Sequence, residues 1–279
     1  MSSRSDIPID VVHLLPLLDE KLMELLRSLT PEEWQRQTIA KYWKVKDVAA
    51  HLLDGNIRVL SMLRDNYHGE SPNISSYQEL LDFLNGLNAD WVKAMKRASP
   101  TILLLLHEAT GKRYCDYYAT LDPFDRAGFA VNWAGEEESQ NWMHIAREYT
   151  EKWLHQQQIR DAVNKPALMT KEFYHPFIDI FMMALPYTFR DIEATNGTVI
   201  QINILEAIGG SWFLVRKENK WTLDKLHITE ASSVVTIEPV TAWKLFSKSI
   251  RPEQVMDSVQ ITGNKKLGEK VLSMVSVMA

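Results

Sequence analysis

The chain has 279 residues, of which 46% are hydrophobic and 24% charged, and its formal net charge is -5 at pH 7. This composition is typical of a globular protein with one large or two ordinary domains. The acidic balance and the lack of a long basic run disfavour nucleic-acid binding. Cys115 is the only cysteine, which excludes an internal disulfide. Its neighbours offer an acid and no base, so a structural cysteine is favoured over a nucleophile.

The N-terminal residues lead into no long apolar segment followed by a small-residue cleavage site, so no signal peptide is expected. The most apolar run, residues 102–106, is far too short to cross a bilayer. We therefore expect a cytoplasmic protein without a membrane span.

The first 165 residues carry the hydrophobic periodicity of amphipathic helices. Pro16 lies within the first helical pattern and predicts a kink or a late start there. Gly111 is expected to end a short apolar helix, and Asn164 lies where the last helix should stop. Four long or medium helices are enough for a four-helix bundle, a fold that commonly holds metal sites between facing helices. The predicted helices are residues 9–29, 44–67, 76–98, 100–110 and 136–163.

The pattern changes towards the C-terminus. Residues 166–195 are predicted to form a connecting helix or linker, and residues 196–279 a separate α+β domain. Period-two alternation and turn residues predict its strands, and a proline start and an apolar stripe predict its helices. The predicted strands are residues 198–205, 212–217, 234–237 and 259–262, and the predicted helices are 239–247 and 264–278.

One face of the helix predicted over 136–163 mixes ionisable and apolar side chains, which is unusual for either a core or a solvent face. Glu151 and His155 are four residues apart, so their carboxylate and imidazole can point at one object. Such pairs also form ordinary ion pairs on helix surfaces. The face contains His144, Glu148, Glu151, His155, Ile159 and Ala162.

His51 lies beside the apolar face of the helix predicted over 44–67, between Val48 and Leu52. The plain interpretation is a core or boundary histidine bonded to a neighbour. The sharper hypothesis joins His51 to Glu151 and His155 in a set of two histidines and one glutamate. Zinc sites with three protein ligands and one open position are typical of catalysis.

Several motifs go beyond this spacing. The segment Trp43–Gly55 (WKVKDVAAHLLDG) resembles the tryptophan-x-valine-x-aspartate-valine-x-x-histidine-leucine motif of the mycothiol-dependent maleylpyruvate isomerase family. Asn132–Glu136 and Glu151–Ala162 resemble later motifs of that family, which belongs to the DinB-like superfamily of metal-binding four-helix bundles. The resemblance covers residues 9–165. In the C-terminal half, residues 241–246, 261–264 and 272–279 resemble a sterol-carrier-protein-like domain, which some family members carry.

The resemblance implies a divalent metal, expected to be zinc, held by His51, Glu151 and His155. The fourth position would take water or the sulfur of a low-molecular-weight thiol, either mycothiol or an analogue. A metal lowers the pKa of a bound thiol and presents the nucleophilic thiolate at neutral pH. In an isomerase, the thiolate would add to a cis double bond and allow rotation before elimination. In a transferase, it would attack an electrophile and stay attached.

The roles of the remaining polar residues stay open at this point. Arg160 is the candidate catalytic residue because it could bind a substrate carboxylate, although pairing with a nearby acid such as Asp161 is the favoured structural alternative. His144 and Glu148 are expected to belong to a hydrogen-bond network that orients His155 or Glu151. The alternative is that Glu148 replaces Glu151 as the ligand. The histidines expected to be structural are His107, His175 and His227.

Two classes of function remain. The first is an enzyme, a metal- and thiol-dependent isomerase or transferase acting on a small electrophile. The second is a non-catalytic protein whose bundle binds metal and whose C-terminal domain holds an apolar ligand. A weaker third possibility is a structural bundle whose histidines are all satisfied core residues.

Overall fold

The computed structural model describes residues 4–69, 72–224 and 230–277, and the chain folds into two compact units. The first unit is Met1–Gly128 with Gln140–Leu168, and the second is Phe129–Ser139 with Met169–Ala279. The units therefore interleave along the chain. In the part of the chain that the structure describes, no helix is long and apolar enough to cross a membrane.

The first unit is helical, and α2 is its central element. α2 packs against α3, α4 and α5, and α1 packs against α4 and α5. The shared core takes leucines from α1, nearly a whole face of α2, Leu103 of α4, and Ile159 and Val163 of α5. The helices are α1 (Leu15–Arg27), α2 (Val45–Arg58), α3 (Tyr77–Met95), α4 (Pro100–Ala119) and α5 (Asn141–Val163).

The helix starts follow local chemistry. α1 begins at Leu15 with Pro16 in its first turn, where the missing N–H costs nothing, so the predicted late start is confirmed. At the start of α2, the Asp47 carboxylate accepts a hydrogen bond from the Lys44 backbone N–H at 3.0 Å. The α-helix predicted to continue to residue 67 instead changes into a π-helical segment, Val59–Arg64. α5 begins five residues later than predicted, at Asn141.

The prediction that Gly111 ends a helix is wrong. α4 continues through Gly111 to Ala119, and Gly111 is buried. A Cβ atom at this position would overlap the Asp19 carboxylate of α1. Gly111 therefore allows α1 and α4 to approach closely and does not end the helix.

The second unit is an α+β structure with a five-stranded sheet in the order β3-β2-β1-β4-β5. β1 pairs in parallel with β4, and the other neighbouring strands are antiparallel. The residues predicted as a connecting segment contain α6, whose Phe177, Ile178 and Phe181 are fully buried, and α7. The elements are α6 (Lys171–Met182), α7 (Leu185–Thr188), β1 (Val199–Ile204), β2 (Gly210–Lys217), β3 (Lys220–Asp224), β4 (Ser233–Ile237), α8 (Pro239–Phe246), β5 (Gln260–Gly263) and α9 (Lys265–Val271).

All four predicted strands are present, and residues 220–224 add a further strand, β3. The C-terminal helix predicted over 264–278 is shorter and ends at Val271, while Met278 lies outside the described residues. The likeness of this unit to a sterol-carrier-protein-like domain stays a prediction.

Candidate metal centre

Three side chains from two helices meet in the first unit. His51 lies on α2, and Glu151 and His155 lie one turn apart on α5. One ligand atom of each residue lies within 4.8 Å of those of the other two. The imidazole rings of His51 and His155 are 4.6 Å apart, centroid to centroid, and nearly perpendicular. The packing of α2 against α5 thus brings together residues separated by about a hundred positions.

His51 has the environment of a neutral ligand imidazole. It is buried, and the Trp43 ring lies 4.7 Å away, centroid to centroid. Burial lowers the pKa of His51 well below its ordinary value, and the neighbouring His155 acts in the same direction. Nδ1 of His51 is buried and has no hydrogen-bond partner among the described residues. Burial of a ring nitrogen without a hydrogen-bond partner costs free energy unless a bound ion or molecule engages the ring.

Glu151 and His155 also face each other in a way that fits a cation. The Glu151 Oε2 atom is 3.3 Å from Nε2 of His155, and the glutamate side chain keeps 35% of its surface exposed. On the opposite side of the ring, His155 Nδ1 donates to the Gln158 Oε1 atom at 3.0 Å. In the neutral imidazole, Nε2 then carries a lone pair. A nitrogen lone pair and a carboxylate oxygen this close repel each other unless a proton or a metal ion lies between them.

These donors therefore fit a divalent metal. Two imidazoles and one carboxylate form the donor set of several zinc sites that keep an open fourth position. The geometry brings the predicted residues together, and their assignment as ligands belongs to the proposal below. The sequence motifs contain Trp43 and Gln158 but do not predict that Trp43 packs on His51 or that Gln158 contacts His155. Gln158 could have been found as the residue three positions after His155, on the same helix face.

His144 and Glu148 belong to a different, buried cluster on α5. Glu148 accepts hydrogen bonds from Arg147 at 2.6 Å and from the Tyr114 hydroxyl of α4 at 2.9 Å. His144 lies 3.3 Å from the Tyr118 hydroxyl. Burial would raise the pKa of Glu148, but the Arg147 guanidinium and His144 outweigh it and bring the pKa to about 2.

This cluster bears on the two expectations for Glu148. Its carboxylate is engaged with Arg147, and it is absent from the group of clustered ligand atoms found among the described residues. The geometry thus favours Glu151 over Glu148 as the metal-facing carboxylate. His155 is in hydrogen-bond contact with Gln158, whereas His144 and Glu148, which were expected to orient His155 or Glu151, contact Arg147 and the α4 tyrosines.

Arg160 lies near the end of α5 and is buried. Its guanidinium donates to the Lys165 carbonyl at 3.0 Å and to the Lys21 carbonyl of α1 at 2.8 Å. Burial lowers its pKa to about 10. The contact with Lys21 links the end of α5 to α1. Both partners of the guanidinium are backbone carbonyls, whereas the expected structural partner was the Asp161 side chain. A substrate-binding role for Arg160 stays a prediction.

The other sequence candidates have environments that fit structural roles. His107 is fully buried, with Nε2 2.9 Å from the Ala49 carbonyl oxygen. Burial raises the pKa of the Cys115 thiol to about 12, so it stays protonated at neutral pH. His175 of the second unit stacks on Trp212. His227 lies outside the described residues.

Comparisons with known proteins agree with this architecture. Two solved structures are similar over most of the chain: the mycothiol-dependent maleylpyruvate isomerase (14% identity) and a histidine-to-alanine mutant of the enzyme of that name (13% identity). Each comparison has a TM-score of 0.56 and covers 94% of this chain and 96% of the other. At such identities the likeness shows a shared fold. A comparison with curated proteins found no significant match.

The helical unit carries the evidence for the family. The family model described as "Mycothiol maleylpyruvate isomerase N-terminal domain" matches residues 15–160, which include α1 to α4, most of α5 and all three residues of the candidate centre. The chain therefore belongs to the mycothiol maleylpyruvate isomerase N-terminal domain family.

Proposed function

We propose that this protein is a metal- and thiol-dependent isomerase that acts on a small electrophilic substrate with a cis double bond. The single observation that carries the proposal is the convergence of His51, Glu151 and His155. The solved structures with this fold include a mycothiol-dependent maleylpyruvate isomerase, which supports a thiol and an isomerisation. Zinc is the expected metal because the donors are two imidazoles and a carboxylate.

The protein's own groups prepare the centre for a cation. Buried His51 is held neutral, His155 is held through Nδ1, and Glu151 supplies one negative charge. A divalent cation held by these residues would lower the pKa of a bound thiol and so supply a thiolate at neutral pH. Since only one of the three donors is charged, much of the positive charge of the ion remains available to a thiolate.

The isomerisation itself needs no net oxidation and no net proton. A carbon–sulfur bond forms as the thiolate adds to the double bond, and the electron pair moves into the adjoining carbonyl group. Rotation about the resulting single bond precedes reversal of the addition. The carbon–sulfur bond then breaks, the trans double bond forms and the thiolate is regenerated. If the thiol instead remained bonded to carbon, the same centre would be that of an S-transferase.

The test is an activity assay on zinc-loaded protein. Maleylpyruvate would be offered with mycothiol, and in parallel with other cellular thiols, while product formation and free thiol are followed. In the wild type, we expect turnover while the concentration of free thiol stays constant. In His51→Ala and His155→Ala, we expect the turnover rate to fall by at least about a hundredfold, as is common when a catalytic metal is lost. Stoichiometric thiol consumption would instead indicate a transferase. Equal rates in wild type and both variants would refute the proposed centre.

A further inference from the structure

We infer that Gln158 is a positioning residue that selects the tautomer of His155 and thereby makes Nε2 its metal-binding nitrogen. This inference rests on the proposed metal-dependent function and assigns a role to a residue outside the three ligands. Gln158 lies one turn beyond His155 on α5, and only 5% of its surface is exposed.

The tautomer follows from the chemistry of the contact. A carboxamide oxygen only accepts hydrogen bonds, so the Nδ1 atom that contacts Gln158 Oε1 at 3.0 Å must carry the proton. A neutral imidazole has one N–H, which leaves the lone pair on Nε2. That atom lies 3.3 Å from the Oε2 atom of Glu151, which is another member of the three-residue group. Gln158 thus directs the lone pair of His155 towards the centre.

Three consecutive glutamines allow this role to be separated from simple burial. Gln156, Gln157 and Gln158 are all at least 95% buried. Gln156 donates to the Leu18 carbonyl oxygen of α1 at 3.2 Å. Gln157 has a buried Oε1 atom without a hydrogen-bond partner among the described residues. Gln158 contacts a residue of the candidate centre, whereas Gln157 is a neighbour of equal size and burial and serves as a matched control.

Removal of the Gln158 acceptor changes which tautomer the site favours. With leucine at position 158, the Nδ1–H of His155 would lose the Gln158 Oε1 atom as its hydrogen-bond acceptor. The Nε2–H tautomer, which can donate to the Glu151 carboxylate, would then be favoured, and its proton would have to leave before Nε2 could bind a metal. Loss of such an outer hydrogen bond typically lowers metal affinity by about 10- to 100-fold.

The experiment compares wild type with Gln158→Leu, Gln158→Glu and Gln157→Leu in the full chain. Nitrogen-15 NMR of the metal-free proteins identifies the protonated nitrogen of His155, and competition with a chromophoric chelator measures zinc affinity. We expect Nδ1–H in wild type, Gln158→Glu and Gln157→Leu, with zinc affinities within about threefold of one another. In Gln158→Leu, we expect Nε2–H and an affinity lower by about 10- to 100-fold.

The outcomes distinguish failure of this inference from failure of the proposed function. If wild type binds zinc and Gln158→Leu binds it equally well, or Gln157→Leu loses as much, Gln158 has no positioning role. If wild type binds no zinc, the proposed metal function fails. The NMR comparison still decides the tautomer in that case: Nε2–H in wild-type His155 would overturn the role of Gln158 by itself. Retained affinity in Gln158→Glu is needed, because it shows that the lost acceptor and not altered packing weakens the leucine variant.

Discussion

Two glutamates one turn apart on α5 have different chemical roles because their partners differ. Glu148 is buried against Arg147 and Tyr114, so its charge is already neutralised by the protein. Glu151 is about one-third exposed and faces the Nε2 edge of His155. A carboxylate engaged by a guanidinium is a poor ligand, whereas one that faces an imidazole nitrogen can share a cation with it. At the residue scale, the partners of each carboxylate therefore separate a structural group from a candidate ligand.

The Glu148 cluster predicts a dependence of stability on pH. The folded-state pKa of about 2 lies below the ordinary value of 4.5, so the ionised carboxylate stabilises the fold. This contribution is present above pH 4.5 and is lost as the pH falls towards 2; it is worth about 3 kcal/mol. Glu148→Gln should therefore lower the free energy of unfolding by about this amount at pH 7, and the difference from wild type should shrink below pH 4.5.

Urea unfolding at pH 7, 5 and 3 would measure this difference. Glu20→Gln is the control, because Glu20 is an exposed glutamate on α1. A Glu148→Gln variant that is as stable as wild type at pH 7, or equally destabilised at every pH, would contradict the role given to the Arg147–Glu148 pair.

At the scale of elements, the centre depends on how closely the helices approach. α2 packs on α5, and both helices contribute buried residues to one core, including Ala49 of α2 and Ile159 of α5. This packing brings His51 close to Glu151 and His155. Gly111 plays a corresponding part between α4 and α1, where the Asp19 carboxylate occupies the space of a missing side chain. Glycine in a helix interior costs about 1 kcal/mol relative to alanine, so such a position needs a packing reason.

A pair of glycine substitutions tests this packing. Gly111→Ala should lower the free energy of unfolding by about 1–3 kcal/mol, because the steric conflict with Asp19 outweighs the gain in helix propensity. Gly86→Ala on α3 is the matched change, because a Cβ atom added at Gly86 would meet no side chain or neighbouring element within 4 Å. This substitution should raise the free energy of unfolding by up to about 1 kcal/mol. Urea unfolding of both variants measures the difference. Equal stabilisation by the two substitutions would show that α1 does not restrict position 111.

The elements also show where prediction from sequence succeeds. Period-3.6 patterns predicted the helices, and the four-residue spacing on α5 predicted that Glu151 and His155 would meet, because both signals are local. Gly111 was misassigned because a glycine required by a neighbouring helix looks the same as one that ends a helix. The sequence does not predict the contact between Gln158 and His155, because that contact depends on how the imidazole ring is turned in the folded protein.

At the scale of the molecule, the chain combines a helical unit that holds the candidate centre with an α+β unit built on a mixed sheet. Alternating hydrophobicity and turn residues predicted four of the five strands of this sheet, all except β3. They could not predict the parallel pairing of β1 with β4, since that depends on contacts between segments about thirty residues apart. The assembly of His51 with Glu151 and His155 likewise depends on the packing of distant helices. Helix periodicity left this set as one hypothesis, and the family motifs supported it.

The metal content of purified protein is the most direct test of the three-ligand centre. Elemental analysis would be made on wild type, His51→Ala, Glu151→Gln and His155→Ala after zinc loading and removal of free metal. His13→Ala, which removes an exposed histidine outside the centre, is the control. We predict one zinc ion per chain in wild type and control and the loss of most of it in each ligand variant. Unchanged metal content in both His51→Ala and His155→Ala would contradict the site.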